Sequence, residues 1–439
     1  MRQPTKKTTN LAKISAFVGA TLEFYDFLLF GTAASLVFPA LFFSEVSPQV
    51  GAILSYVALA TGYIARPIGG ILFGHFGDRV GRKRMLIITM FIMGFTSIGV
   101  GLLPTEASIG VAAPVLLTAL RVLQGIAVGG EFAGAALLSM EHSKPKGRGF
   151  GAAVAVAGGP TGAVLATLVF GAFATMPEPQ FMSWGWRVPF LLSAVLLIVG
   201  IILRLKVTES PDFERAEEIA EHEPSVPLVR VIMNYPKQIL GSVVGSFAPL
   251  FMQSLLATFA LRYAAEVGHS QSSALLTLTI ANAVHIFTIP AAAALSDRLG
   301  RRNVMVAGTV IGILGIWPMF ALISHGSTAL MLLGFMLGNP VIQAVMYGPL
   351  GAWIGEMFPT KMRYTGMSLS YQIGTTLGAG FAPLIATALV GVDGGSTHIL
   401  SVFFCGLCVI SGVAMWVTHP THGEDLDKVY DLEAHLEGN

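Results

Sequence analysis

Five ionisable side chains stand inside long apolar stretches of the sequence, and their types suit the binding of protons and anions. They are Glu23, Asp26, Arg66, Arg121 and Glu131. Ionisable groups inside a membrane are costly and usually face a polar path or one another. Carboxylates take up and release protons, whereas guanidinium groups bind a carboxylate in a planar, bidentate manner. We therefore predict Asp26, Glu23 and Glu131 as proton-coupling residues, and Arg121 and Arg66 as ligands of an anionic substrate.

The spacing of these charges fits two helices that share a polar path. Glu23 and Asp26 are three residues apart, which places them on roughly one face of a helix. Arg121, Gln124 and Glu131 follow a helical stripe that is about 15 Å long at 1.5 Å per residue. Gln124 therefore joins the substrate-binding candidates. The alternative is that the charges only pair with one another and hold their helices together.

The composition indicates that these helices lie in a membrane. Of 439 residues, 54% are hydrophobic and only 12% are charged, and the charged share is about half of that in an average soluble domain. Apolar stretches that can cross a ~30 Å hydrocarbon core as helices lie near residues 14–40, 51–75, 85–103, 112–139, 149–175, 184–206, 237–262, 273–295, 303–323, 328–355, 364–390 and 398–418. The sequence therefore predicts an all-α membrane protein with twelve transmembrane helices.

The distribution of basic residues predicts how these helices are oriented. When alternate loops are assigned to opposite sides, 22 of the 26 Lys and Arg residues fall on the side of the N-terminus and one falls on the other side. Under the positive-inside rule, both termini are then cytoplasmic. The formal net charge of +1 gives no long-range field that favours nucleic acid.

The chain contains an internal repeat. The motif at residues 78–83 recurs at 297–302, an offset of 219, and segment 141–148 is echoed by 356–363 at an offset of 214 or 215. Two parallel repeats with a binding site between them are a known layout of secondary transporters. We predict two six-helix halves over residues 1–206 and 237–418, a cytoplasmic linker over 207–236 and a short cytoplasmic tail over 419–439.

The repeated motif also contains residues suited to a cytoplasmic gate. Gly74, Gly77 and Gly81 allow a tight turn between closely packed helices. Asp78 can interact with the N-terminus of a helix, and the arginines of the motif can pair with acids. Such contacts would act as a latch that forms in one conformation and breaks in another. The predicted gate residues are Gly74, Asp78, Arg79, Gly81, Arg82, Asp297, Arg298 and Arg301.

Several segments resemble a known family of membrane proteins. Residues 74–83 resemble the signature between helices 2 and 3 of the major facilitator superfamily. Within it, the sequence is similar to the metabolite:proton symporter family at residues 22–27, 121–131, 184–190 and 209–211. That family includes transporters of alpha-ketoglutarate, citrate, shikimate and proline or betaine. Segment 101–114 is most similar to the shikimate-transporter branch, and the predicted tail has no room for the long coiled coil of osmosensing members.

The resemblance implies a central cavity lined by helices 1, 4, 7 and 10. The polar and aromatic residues on these helices are then substrate-binding candidates, namely Tyr25, Gln253, Asn339, Gln343 and Tyr347. Further polar residues on helices 8 and 11 are Asn282, His285, Tyr371 and Gln372. For each residue, the alternative role is an interhelical hydrogen bond worth about 0.6 kcal/mol on average.

We therefore expect proton-coupled uptake of a small organic acid, such as shikimate or a di- or tricarboxylate, by alternating access. The resemblance implies a monomer in the lipid bilayer of a bacterial inner membrane, with protons as the coupling ion and no other cofactor or metal. An enzyme is not expected, because the sequence shows no phosphate loop, Ser-His-Asp set or metal-ligand spacing. The alternatives are a drug or metabolite:proton antiporter, favoured only by the Gly/Pro-rich stretch at 158–162, uptake of a zwitterionic osmolyte, and a non-transporting sensor.

Overall fold

The described part of the chain contains twelve long helices. The structure, a computed structural model, describes residues 6–214 and 227–418. The helices that are long and apolar enough to span a membrane are α1 (Thr8–Leu36), α2 (Gln49–Val80), α3 (Arg82–Leu102), α4 (Ala112–Glu141), α5 (Pro145–Ala174), α6 (Arg187–Lys206), α7 (Pro236–Glu266), α8 (Gln271–Leu299), α9 (Arg301–Ser324), α10 (Thr328–Gly355), α11 (Thr360–Val392) and α12 (His398–Val417). The prediction of an all-α fold with twelve transmembrane helices is confirmed, and the described residues contain no β-strand.

One local prediction about α2 is wrong. Gly74 and Gly77 do not form a turn, because α2 continues through them to Val80. The turn into α3 is made by Gly81 alone, at a φ of 109°, a conformation that glycine adopts without steric cost. At Gly77, a Cβ would overlap the ring of Tyr364 in α11. The glycines inside α2 therefore permit close helix packing rather than a change of chain direction.

The helices pack into two groups that meet along a few pairs. In the first group, α1 packs on α5 and α6, while α2 and α3 pack on α4. In the second, α9 packs on α10 and α12, and α8 packs on α10. The groups meet where α2 contacts α11 and where α5 contacts α8. The division into halves at the predicted boundaries stays a prediction, since residues 215–226 of the linker and the tail from 419 lie outside the described residues.

Several helices are irregular near their middle. α5 is interrupted at Ala157. π-helical turns occur at Leu255–Phe259 in α7, Leu337–Gln343 in α10 and Thr376–Gly380 in α11. Inside a membrane, irregular backbone is tolerated where protein buries it or where it lines a polar cavity. These irregular segments are therefore expected either to be buried by protein or to line such a cavity.

Candidate functional site

A cavity lies between the two groups of helices, at the level of the irregular segments. Its volume is about 130 Å³. Helices α1, α2 and α5 form one wall, and α7, α8, α10 and α11 form the other. The polar and aromatic residues that line it are Glu23, Phe24, Phe27, Tyr63, Arg66, Gln253, Ser254, Thr258, Asn282, His285, Asn339, Gln343, Tyr347, Tyr371 and Thr375.

The first wall supplies the charges of the cavity. Glu23 of α1 and Arg66 of α2 both line it, and both are buried. The Oε2 atom of Glu23 has no hydrogen-bond partner, although the charge of Arg66 acts on this carboxylate. The guanidinium of Arg66 lies over the rings of Phe27 and Tyr63, at 4.9 and 4.7 Å from their centroids. The first wall therefore presents the carboxylate of Glu23 and the guanidinium of Arg66, which are not hydrogen-bonded to each other.

The second wall supplies neutral hydrogen-bonding groups. The side-chain amide of Asn339 donates to Asn282 over 2.8 Å. The hydroxyls of Tyr347 and Tyr371 are 2.8 Å apart. The residues predicted from α7 and α10, which are Gln253, Asn339, Gln343 and Tyr347, all line the cavity together with Asn282, His285 and Tyr371. Gln372 instead donates to the carbonyl of Gly129 in α4 over 2.9 Å.

Asp26 and Arg121 lie behind the first wall rather than in it. The Oδ1 atom of Asp26 accepts a 2.5 Å hydrogen bond from Ser193 of α6, whereas its Oδ2 atom has no hydrogen-bond partner. Arg121 is only 2% exposed and donates to Gln124 over 2.6 Å. The hydroxyl of Tyr25 donates to the carbonyl of Pro189. In this conformation, none of these predicted residues is part of the cavity lining.

Glu131 has a partner that the sequence analysis placed elsewhere. Its carboxylate pairs with Arg204 of α6 and accepts a 2.8 Å hydrogen bond from Thr89 of α3. The Lys/Arg count by loops used Arg204 only as a marker of the cytoplasmic side, whereas in the structure its side chain is only 1% exposed. The arginine stem is long enough to carry the charge inward from the end of α6. Glu131 and Arg204 therefore form an ion pair within the first group of helices.

Glu131→Gln is expected to lower stability by about 3 kcal/mol, because it leaves the charge of Arg204 buried without a counter-ion. The melting temperature of the purified protein and its abundance in membranes measure this effect. The double variant Glu131→Gln/Arg204→Met should recover most of the loss, since it removes both charges. A wild-type melting temperature for Glu131→Gln would contradict the structural role of the pair.

The repeated motif holds the two groups of helices together at one end of the bundle. We call the end where α1 begins and α12 ends the terminal face. There, the carboxylate of Asp78 in α2 accepts hydrogen bonds from the backbone N–H groups of Tyr364 and Thr365, over 3.1 and 2.8 Å. These groups belong to the first turn of the helix that begins at Arg363. We call this contact the first latch.

The second copy of the motif makes the equivalent contact, but here the carboxylate comes from the second group of helices and the N–H groups come from the first. Asp297 of α8 accepts hydrogen bonds from the N–H groups of Gly149 and Phe150, both over 2.9 Å, and these residues lie in the first turn of the helix that begins at Arg148. We call this contact the second latch. Arg301 pairs with Asp297 over 2.5 Å and with Glu356 over 3.2 Å.

The arginines of the first copy differ in their surroundings. Arg82 is fully buried, lies 3.5 Å from Glu141 and donates to the carbonyl of Thr360. Glu141 also pairs with Arg363 over 2.9 Å. Arg79 and Arg298 are exposed. A guanidinium nitrogen of Arg79 lies 3.4 Å from the Nε2 atom of His75. Of the predicted gate arginines, Arg82 and Arg301 thus form ion pairs in the part of the chain that the structure describes.

Comparison with known proteins gives matches over nearly the whole chain. The profile of the Major Facilitator Superfamily matches residues 16–261 and 242–431. The chain is 36% identical to a shikimate transporter of Escherichia coli (strain K12), over 92% of each chain. It is 30% identical to a citrate-proton symporter of Klebsiella pneumoniae, over 88% of each chain.

Among solved structures, the proton:xylose symporter XylE bound to 6-bromo-6-deoxy-D-glucose is similar in fold. Its TM-score is 0.77 at 19% identity, and the alignment covers 97% of this chain and 99% of that one. The overall fold is therefore shared over nearly the full length of both chains.

Proposed function

The chain belongs to the major facilitator superfamily of membrane transporters, and we propose that it takes up a small organic acid together with protons. The transport would proceed by alternating access across the inner membrane of a bacterium. A shikimate transporter and a citrate-proton symporter are among its relatives. The names of both relatives specify an organic acid as the substrate, which supports this substrate class.

The observation that carries the proposal is the chemistry of the cavity walls. Arg66 offers a buried guanidinium to the cavity, and Glu23 offers a carboxylate with a free oxygen atom. A guanidinium suits a carboxylate, which a neutral sugar would not require. The neutral donors and acceptors of α7, α8 and α10 suit hydroxyl groups elsewhere on the substrate.

Protonation of two acids would couple the proton gradient to the substrate, namely Glu23 in the cavity wall and Asp26 behind it. While Glu23 is ionised, its negative charge offsets that of Arg66 and opposes the entry of another anion. A proton on Glu23 removes that charge, so the cavity attracts the substrate carboxylate more strongly. By reciprocity, a bound anion favours the protonated form of Glu23 by the same free energy. Asp26 and Arg121 supply a second carboxylate and a second guanidinium behind the wall, and Arg121 would join the substrate only after rearrangement.

Purified protein in liposomes tests this function directly. A panel of labelled acids, including shikimate, citrate, a dicarboxylate and a betaine, is offered with and without an inwardly directed proton gradient. We expect at least one acid to accumulate only when the gradient is present. Uptake that is insensitive to collapse of the gradient would overturn proton symport, accumulation of the betaine alone would overturn the organic-acid assignment, and gradient-driven export would indicate an antiporter.

Arg66→Gln is expected to raise the KM for the transported acid about 30- to 100-fold, because it removes a charge-assisted contact worth about 2 to 3 kcal/mol. Arg66→Lys should give a smaller increase, since an ammonium keeps the charge but not the bidentate geometry. Initial rates of uptake at equal protein abundance measure both effects. The control is Arg262→Gln, whose side chain is 62% exposed. An unchanged KM in Arg66→Gln would remove Arg66 from the substrate site.

A further inference from the structure

Phe27 of α1 contacts both buried guanidinium groups of the candidate site. The guanidinium carbon of Arg66 lies 4.9 Å from the centroid of its ring, and that of Arg121 lies 4.8 Å from the same centroid. Tyr63 of α2 packs edge-on against the ring, with 5.0 Å between centroids. Both guanidinium contacts fall within the roughly 6 Å range of cation–π interactions.

The two arginines that share this ring differ in their access to the cavity. Arg66 and Phe27 line the cavity, whereas Arg121 does not. Arg121 also lies over the ring of Phe30, at 4.5 Å, and its Nε atom has no hydrogen-bond partner. At Gly62 of α2, a Cβ would overlap the guanidinium of Arg121. Aromatic rings and a bare stretch of α2 backbone therefore enclose the buried arginine.

Asp26 lies one residue before Phe27 and belongs to the enclosed side. It faces Ser193 of α6 and Ser97 of α3, and the charge that acts on it most directly is that of Arg121. The hydroxyl of Tyr25 also lies within its electrostatic reach. The ring of Phe27 thus contacts Arg66, which lines the cavity together with Glu23, and Arg121, which lies outside the cavity lining as Asp26 does.

We propose that Phe27 is a positioning residue that separates the substrate site from the enclosed side chains of Asp26 and Arg121. The inference rests on the proposed function, because it assigns substrate binding to Arg66 and proton binding to the acids. The face of the ring attracts both cations, which holds Arg66 in the cavity and retains Arg121 outside it. The apolar ring also limits the entry of cavity water to Asp26. Coupling then depends on a conformational change that moves this ring.

Removal of the ring should produce a proton leak in the absence of any substrate. Liposomes that contain the protein and a pH-sensitive dye are given a proton gradient, and the initial rate of dye response is measured. We expect Phe27→Leu and Phe27→Met to leak about fivefold or more faster than wild type, because the cation–π contacts are lost and neither side chain covers the area of the rigid ring. Phe27→Tyr keeps the ring and should leak at about the wild-type rate.

Phe24→Leu is the matched control. Phe24 also lines the cavity from α1, and the cation–π contacts found among the described residues do not include it. Its leak should equal that of wild type. A wild-type leak in Phe27→Leu and Phe27→Met, or an equal leak in Phe24→Leu, would overturn the inference. The leak assay contains no substrate, so it is independent of the uptake panel. If no acid accumulates in that panel, the proposed function is refuted, but the comparison of leak rates still decides the role of Phe27.

Discussion

Asp78→Asn is expected to reduce uptake by about tenfold or more while the protein still inserts into the membrane at wild-type abundance. The carboxylate of Asp78 accepts hydrogen bonds from two backbone N–H groups and from the hydroxyl of Thr365, over 2.8 to 3.1 Å. Its side chain is fully buried, and Arg82 lies 3.6 Å away. These contacts join α2 to α11, which belong to different groups of helices. The charge of Asp78 therefore stabilises the conformation in which the terminal face is closed.

The size of the effect follows from the loss of charge. An asparagine side chain can still accept a hydrogen bond, but it does not provide the negative charge that suits the N-terminus of a helix. If the closed conformation loses about 2 kcal/mol, the equilibrium between open and closed forms shifts roughly 30-fold. A carrier that rarely closes this face cannot return its site to the other side. Insertion is unaffected, because hydrophobicity and loop charges direct it.

Uptake per unit of membrane protein measures this prediction, and Glu266→Gln is its control. That change removes one carboxylate from an exposed ion pair with Arg262, for which we expect little effect. Asp297→Asn weakens the second latch and should reduce uptake in the same direction. Wild-type uptake by Asp78→Asn at equal abundance would refute the role of the first latch.

The membrane fold could be predicted from the sequence because its main determinant is local. A long apolar stretch can satisfy its backbone hydrogen bonds in a bilayer only as a helix or in a closed barrel. The end of α2 could not be predicted in this way. Gly74 and Gly77 are compatible with either a turn or a packed helix, and only the approach of Tyr364 in α11 shows that they lie in a helix.

The candidate site could be predicted in its residue types but not in its arrangement. Helical spacing placed Glu23 and Asp26 on one face of a helix, yet only Glu23 lines the cavity. Arg204 was not predicted as the partner of Glu131 because it lies near the end of α6, where a basic residue normally reflects membrane topology. The role of Phe27 could not be predicted because phenylalanine is common in this chain. Its contact with two arginines that are distant in sequence leaves no recognisable pattern in a single sequence.

The hydrogen bonds that organise the site also cross large distances in sequence. Ser193, which donates to Asp26, is 167 residues away from it. Tyr371, which lines the cavity, also stacks its ring on Phe132 of α4 with 3.5 Å between centroids and so joins the two groups of helices. Such partners are set by how the helices pack, so they become visible only in three dimensions.

Asp26→Asn is expected to abolish accumulation driven by a proton gradient while substrate exchange persists. Asparagine has nearly the same shape as aspartate, and its carbonyl oxygen can accept the hydrogen bond from Ser193. It cannot take up a proton, however, so a cycle that requires protonation at this position loses its coupling. The substrate would still bind at Arg66 in the cavity, which leaves exchange of labelled for unlabelled acid possible.

Two measurements on the same liposomes separate this role from a structural one. Accumulation under an imposed gradient should disappear in Asp26→Asn, whereas exchange without a gradient should continue at a rate comparable to that of wild type. Glu131→Gln is the matched control, because it also neutralises a buried carboxylate but one that already pairs with Arg204. It should lose abundance yet keep its response to the gradient. Uphill accumulation in Asp26→Asn would exclude Asp26 from coupling and leave Glu23, the carboxylate that faces the cavity, as the residue that binds the proton.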